Sequence, residues 1–189
     1  MKTNKTKSST FPHIIFSYGS NMCEKELIKY KNRLKTPKGQ HFNLLDIGVL
    51  HNYKFAYKNI CEKTNNPKIK SAKATIIPTK NRKVYGTIIE LSDELFKLIL
   101  KKEGVYKNYY QMETLNIQSL ISNKTYNATV FIMNKDNYIP TTSASASTSS
   151  CSLKITKLPS VAYETKIVNA AKFYNFPHSY INKYLMSNR

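Results

Sequence analysis

Apolar residues along the chain occur in short runs and two spacings, broken by polar turns. The run His13 to Tyr18 (HIIFSY) predicts a buried strand that ends in the turn signal Gly19-Ser20-Asn21. Leu27, Tyr30 and Leu34 are spaced as one face of a helix over 24–34. Residues 44–57 read as two strands around His51-Asn52, and 59–71, polar and carrying Pro67, as a loop. Residues 72–77 and 83–91 read as two further strands joined by a turn containing Pro78. In the second, Val84, Gly86, Ile88 and Glu90 alternate with Tyr85, Thr87, Ile89 and Leu91, and apolar groups on both faces predict a central strand. Ser92 is a good N-cap, with Asp93 and Glu94 in the first turn where the helix dipole favours acids. Leu95, Phe96, Leu98, Ile99 and Leu100 follow, and Gly104 supplies the stop. Residues 109–117 and 125–133 predict a hairpin over Ser122-Asn123-Lys124. Residues 160–174 read as a helix with Val161, Ile167, Val168 and Ala171 for its apolar face, broken by Pro177 before a last short helix to Leu185. No internal repeat occurs. Strands with helices between and after them predict an α+β domain on a strongly bent sheet or barrel.

With 189 residues and 41% hydrophobic content, the chain suits one domain with a real core. The expected organisation is a disordered basic tail over 1–11 and a single domain over 12–187. Within it, the small-residue stretch 141–152 (TTSASASTSSCS) reads as a flexible insertion. Cys23, Cys61 and Cys151 are widely spaced and form no metal-ligand pattern, so neither a disulfide framework nor a zinc site is expected. The N-terminus lacks the apolar core of a signal peptide, and no apolar run reaches membrane-spanning length; a cytoplasmic setting with no membrane partner is expected. The formal net charge is +19, which raises the question of nucleic acid. Only three arginines occur, Arg33, Arg82 and Arg189, and the lysines are dispersed rather than banked. Arginine is the better fork for phosphate and guanine, so no specific nucleic-acid site is expected. A homodimer is compatible with the sequence.

Four histidines, His13, His41, His51 and His178, share no spacing, and the common hydrolase, metalloprotease and nucleotide-binding motifs are absent. Among the acids, Glu24, Glu26, Asp93 and Glu94 are explained by capping or solvation, and Glu90 and Glu113 lie in strands. Glu103 differs. It ends an apolar helix just before Gly104, beside Tyr106, Tyr109 and Tyr110. The negative end of the helix dipole and apolar neighbours would suit a carboxylate to a general base. A solvated glutamate at a helix end accounts for the same residues. Tyr18-Gly19-Ser20-Asn21, between strand and helix, would present backbone N–H groups to an anion or oxyanion. An ordinary turn capped by Ser20 or Asn21 explains it equally well.

Taken together, the motifs resemble the gamma-glutamylcyclotransferase family. FSYGSNM (Phe16 to Met22) is similar to its F-x-YGSN-L start. IGVLHNYKFAY (Ile47 to Tyr57), KATIIP (Lys73 to Pro78), VYGTIIEL (Val84 to Leu91) and KKEGVYKNYYQME (Lys101 to Glu113) follow in order. PSVAYETKIVNAAKFYNFP (Pro159 to Pro177) closes the match, so the resemblance spans about residues 13–185. It implies a bent mixed sheet or small barrel flanked by helices. It implies an enzyme that releases 5-oxoproline from gamma-glutamyl amino acids, without metal or organic cofactor. Glutathione and gamma-glutamyl-amine isopeptides are the substrates of sister activities, and a non-catalytic ligand-binding member is the remaining alternative. Glu103 aligns with the catalytic acid/base, and Glu113 would be next in line. Ile15, Phe16, Ser17, Tyr18, Gly19 and Ser20, with Asn21, align with the stretch that cradles the gamma-glutamyl group; Tyr110 and Tyr163 align with tyrosines near the substrate. Met22 stands for the usual leucine. Ser17 replaces a smaller residue, adding a hydroxyl that would narrow the pocket, and the insertion 141–152 precedes the helix that carries Tyr163, where it would cover the site.

Overall fold

The structure, a computed structural model, describes residues 12–34, 42–60, 71–137 and 157–187. The basic tail, His41, Cys61, Cys151 and the serine-rich insertion lie outside the described residues. Five strands close into a barrel: β1 (His13–Ser17), β2 (Phe42–Lys58), β3 (Lys73–Leu91), β4 (Tyr110–Ser119) and β5 (Thr125–Met133). Their order around it is β1-β3-β2-β4-β5, with β5 returning to β1. That last contact is parallel, Ile15 opposite Thr129 and Phe16 opposite Val130, and every other pairing is antiparallel. The barrel thereby leaves no open edge at the β1–β5 seam.

The sequence predicts one strand on each side of His51-Asn52 and one on each side of the turn at Pro78, whereas β2 and β3 each run through as one long strand. The polar residues that signal a break are real but mark an irregularity. Between the pairs His51–Lys83 and Tyr53–Pro78, Asn52 faces residues 79–82, and both Asn52 and Asn81 take left-handed backbone conformations. Asparagine tolerates that region better than most residues. The Asn52 Oδ1 accepts the Asn81 N–H at 3.2 Å and joins the two sides of the irregularity. Beyond it, residues 53–58 and 73–78 pair as a two-stranded arm.

β3 lies between β1 and β2, as its two apolar faces require. One face, with Val84 and Ile88, joins Phe16, Leu50, Ile117, Val130 and Ile167 in one core cluster. The other, with Ile89 and Leu91, joins Ile15, Leu95, Ile99, Phe131 and Met133 in a second. Gly86 allows this packing. A Cβ there would stand 2.4 Å from the Ser17 carbonyl oxygen and 2.7 Å from the Phe16 ring, so β1 can lie close against β3 only over glycine.

Helix α1 (Glu24–Lys31) follows a three-residue 3-10 turn, Ser20–Met22. Helix α2 (Asp93–Glu103) begins at Ser92, whose hydroxyl accepts the Leu95 N–H at 3.3 Å. It ends at Gly104, whose φ of +67° suits glycine, and the Tyr109 ring fills the space a Cβ would need. Helix α3 (Val161–Phe173) is capped by Ser160 and buries Ile167, Val168, Ala170 and Ala171. Val161, expected on that face, is 62% exposed. Asn175 in the left-handed region and Pro177 turn the chain into α4 (His178–Tyr180) and a π-helical turn, Ile181–Leu185. Among the described residues no helix is long and apolar enough to cross a membrane.

Candidate active site

A cleft of about 360 Å³ opens at the end of β1, where α1, α2 and α3 converge on the barrel. Its floor is the strand end Ile15, Phe16, Ser17 and Tyr18, and one rim is the loop Gly19-Ser20-Asn21. Glu103 enters from the last residue of α2, Tyr110 from the start of β4 and Tyr163 from α3. All ten residues singled out from the sequence therefore line one cavity.

The loop and the carboxylate are joined directly by Asn21. Its Nδ2 donates to Glu103 Oε1 at 3.0 Å, and its Oδ1 accepts from the ammonium of Lys102. Lys102 also donates to Ser20 Oγ at 3.1 Å and lies 3.7 Å from Glu103 Oε1. One amide thus reads two adjacent side chains, donating to the anion and accepting from the cation. The surroundings of Glu103 are more polar than the sequence suggests. Tyr106, expected in an aromatic cluster beside it, is 72% exposed, while Tyr109 packs on Gly104 and only Tyr110 is buried.

The expectation of a helix N-terminus behind the loop is also modified. The turn over Ser20–Met22 is closed by Met22 N–H to the Gly19 carbonyl and Cys23 N–H to the Ser20 carbonyl, and α1 starts only at Glu24. Any N–H groups offered to a ligand are those of the tight turn itself rather than of a long helix dipole.

The tyrosines build the wall. Tyr110 Oη donates to the Ala74 carbonyl at 2.7 Å, and the Ala74 N–H is accepted by Tyr163 Oη at 3.2 Å. Ala74, near the start of β3, is thereby held from both sides. Tyr18 Oη donates to the Phe131 carbonyl and ties β1 to β5. Burial pushes the Tyr163 phenol far above its ordinary range; hydrogen bonds from Ala74 and with Ser20 work against this, and the Glu103 charge reinforces it. Tyr163 accordingly stays protonated.

Four charged residues of the cleft were missed from sequence: Glu26, Lys73, Lys102 and Lys166. Glu26 was assigned to a solvated face of α1, but it is buried and its Oε1 lies 2.9 Å from both Lys29 and Lys166. Burial pushes its carboxyl up, and the two ammonium partners outweigh that and hold it below the ordinary value. The available signal was helical spacing, since Glu26 shares a face with Tyr30 and Lys29. The second carboxylate of the cleft is therefore Glu26 and not Glu113, which lies on β4 away from the cavity and accepts from Gln111.

The sequence model of the AIG2-like family matches residues 83–184, more than half of the chain. The chain belongs to the AIG2-like family. No curated protein sequence matches it. Among solved structures, a gamma-glutamyl cyclotransferase is similar with a TM-score of 0.64 and 18% identity, over 90% of this chain and 85% of that one. An uncharacterised human protein is similar at 0.62 and 19% identity, over 90% and 85%. A yeast gamma-glutamyl cyclotransferase specific to glutathione is similar at 0.53 and 13% identity, over 91% and 96%. The mixed sheet closed into a small barrel with flanking helices is the gamma-glutamyl cyclotransferase-like fold expected from the motifs.

Proposed function

We propose that this AIG2-like protein is a gamma-glutamyl cyclotransferase that converts gamma-glutamyl amino acids to 5-oxoproline and a free amino acid. The observation that carries the reading is the Asn21–Glu103 hydrogen bond: the loop suited to hold the substrate also aims the one carboxylate positioned to move its protons. The names of the similar structures support the reaction class, and the motifs from Tyr18 to Tyr163 support its assignment to this cleft.

In the reaction, the substrate's α-amine attacks its own γ-carbonyl carbon. A C–N bond closes the five-membered ring, and the C–N bond to the leaving amine breaks. The nucleophile is tethered to its target, so effective molarity supplies much of the rate and no nucleophile from the protein is required. Glu103 takes a proton from the α-ammonium and returns one to the departing nitrogen, base first and then acid. Asn21 holds the carboxylate during both transfers. N–H groups of the Gly19-Ser20 turn stabilise the negative charge of the carboxylate or developing oxyanion. Tyr163, which stays protonated, has a hydroxyl proton to offer on the same side.

The test is direct. Purified protein is incubated with gamma-glutamyl-alanine, glutathione and gamma-glutamyl-lysine, and 5-oxoproline is quantified from each. Release from gamma-glutamyl-alanine is expected to lead. Release chiefly from glutathione or the lysine isopeptide would reassign the leaving group, and no release from any would leave a ligand-binding role.

A further inference from the structure

The two ends of the Asn21 carboxamide match in shape and differ only in that one accepts and the other donates. Two charges decide which end faces Glu103. Nδ2 donates to Glu103 Oε1 at 3.0 Å, and Oδ1 accepts from the ammonium of Lys102. A turned amide would set N–H groups against the ammonium and a carbonyl oxygen against the carboxylate. While Glu103 is ionised, either neighbour alone would select the observed orientation. Once Glu103 has taken a proton, it no longer selects: a carboxylic acid offers a donor as well as acceptors and meets either end of an amide. From that moment Lys102 alone holds the amide.

Lys102 has a fixed place from which to do so. Its Nζ also donates to Ser20 Oγ at 3.1 Å, lies 3.7 Å from Glu103 Oε1 and stands 5.1 Å from the centre of the Tyr30 ring on α1. An ammonium has three protons and no acceptor. Two of them go to the loop, and the carboxylate and the ring face take up the remaining side. The side chain is 23% exposed, whereas its neighbour Lys101 is open to solvent.

We propose that Lys102 is a positioning residue for the proton transfer: it locks the Asn21 carboxamide in one orientation through the whole cycle, so that Glu103 carries the moving proton on Oε2. The proposal rests on the cyclotransferase reading and deepens it. Oε1 stays engaged by Asn21 Nδ2. The proton passes from the substrate's α-ammonium to Oε2, and from Oε2 to the departing nitrogen. Without the ammonium, the amide can turn when Glu103 is protonated. Its Oδ1 then accepts the carboxyl proton and holds it on the protein instead of releasing it to the leaving group.

The experiment is a double-mutant cycle read as 5-oxoproline release from gamma-glutamyl-alanine, with wild type, Lys102→Met, Asn21→Ala and the pair. Lys102→Met is expected to lower kcat about tenfold and to leave KM within about twofold, as loss of alignment in a proton carrier does. Because the effect passes through Asn21, adding Lys102→Met to Asn21→Ala should change kcat by less than about twofold. Lys101→Met removes the same charge from the exposed neighbour and should leave kcat unchanged. Lys102→Arg also offers donors alone and should keep at least about a third of the wild-type kcat, which keeps the role falsifiable if methionine is not tolerated by the fold. Melting curves establish which variants are folded. Losses that multiply in the pair, a rise in KM with kcat unchanged, or a folded arginine variant below about a tenth of the wild-type kcat overturn the role and leave the reaction class intact. No release by folded wild type from any gamma-glutamyl substrate overturns the reaction class and the role with it.

Discussion

Asn21 joins two neighbours of opposite charge, Lys102 and Glu103, through the two ends of one amide. Neither aspartate, which offers no donor, nor leucine, which offers neither end, can replace it. Asn21→Ala should leave the fold intact and lower kcat about 10- to 100-fold, because misaligning a proton carrier is costly at that scale. Steady-state kinetics with a melting curve checks this, and a change in KM alone would mean that Asn21 holds substrate rather than Glu103. At this scale the motifs in the sequence were informative. Glu103 could be singled out because it ends an apolar helix before a glycine, and Tyr163 because it lies in Pro-Ser-x-x-Tyr. The lysines of the cleft could not, since a chain with 30 Lys and Arg gives no local sign of which ones turn inward. Lys166 is placed by its ion pair with Glu26 of α1, and Lys73 stands over the ring of Tyr163.

The same division holds among the elements. Caps and stops were legible because they are local: Ser92 and Gly104 do what their residue types allow. The breaks read at Asn52 and Pro78 were not resolved correctly, because long-range pairing of β2 with β3 carries both strands past their irregularity. Gly86→Ala forces a methyl against the Ser17 carbonyl and the Phe16 ring, and should destabilise the protein by about 1–3 kcal/mol, as overpacking does. Denaturant melts measure it, and a neutral result would mean that β1 moves away from β3 at little energy. The ion pair of Glu26 with Lys166 ties α1 to α3 across the cleft. The folded-state value of Glu26 is depressed, so its stabilisation is fully present above the ordinary value of about 4.5 and is lost as pH falls through the lower folded value. Melting temperatures of wild type and Glu26→Gln should differ at neutral pH and converge in acid below that range. A gap that persists or grows in acid would show that the variant loses packing rather than charge.

Over the whole molecule, the net charge of +19 and the cleft make separate claims. The positive charge will attract polyanions weakly, because counterion release needs no built site. Binding to RNA should disappear near physiological salt and leave turnover unchanged; submicromolar binding that persists there and inhibits would contradict this. The barrel itself was anticipated from the order of strands and helices, and its closure by the parallel contact of β1 with β5 was not, since a two-residue pairing leaves no pattern in the sequence. That closure sets the end of β1 beneath three helices and so makes the cleft. The account's central claim is that Glu103, held there by Asn21, carries the protons of an intramolecular cyclisation. Its most direct test is the rate of 5-oxoproline release from gamma-glutamyl-alanine by wild type and Glu103→Gln, at equal concentrations of protein shown to be folded. The account predicts measurable release by wild type and a kcat at least about 100-fold lower in the variant, the usual loss when a general acid/base is removed. A variant that keeps more than about a tenth of the wild-type rate would contradict it and move the proton transfer to another group.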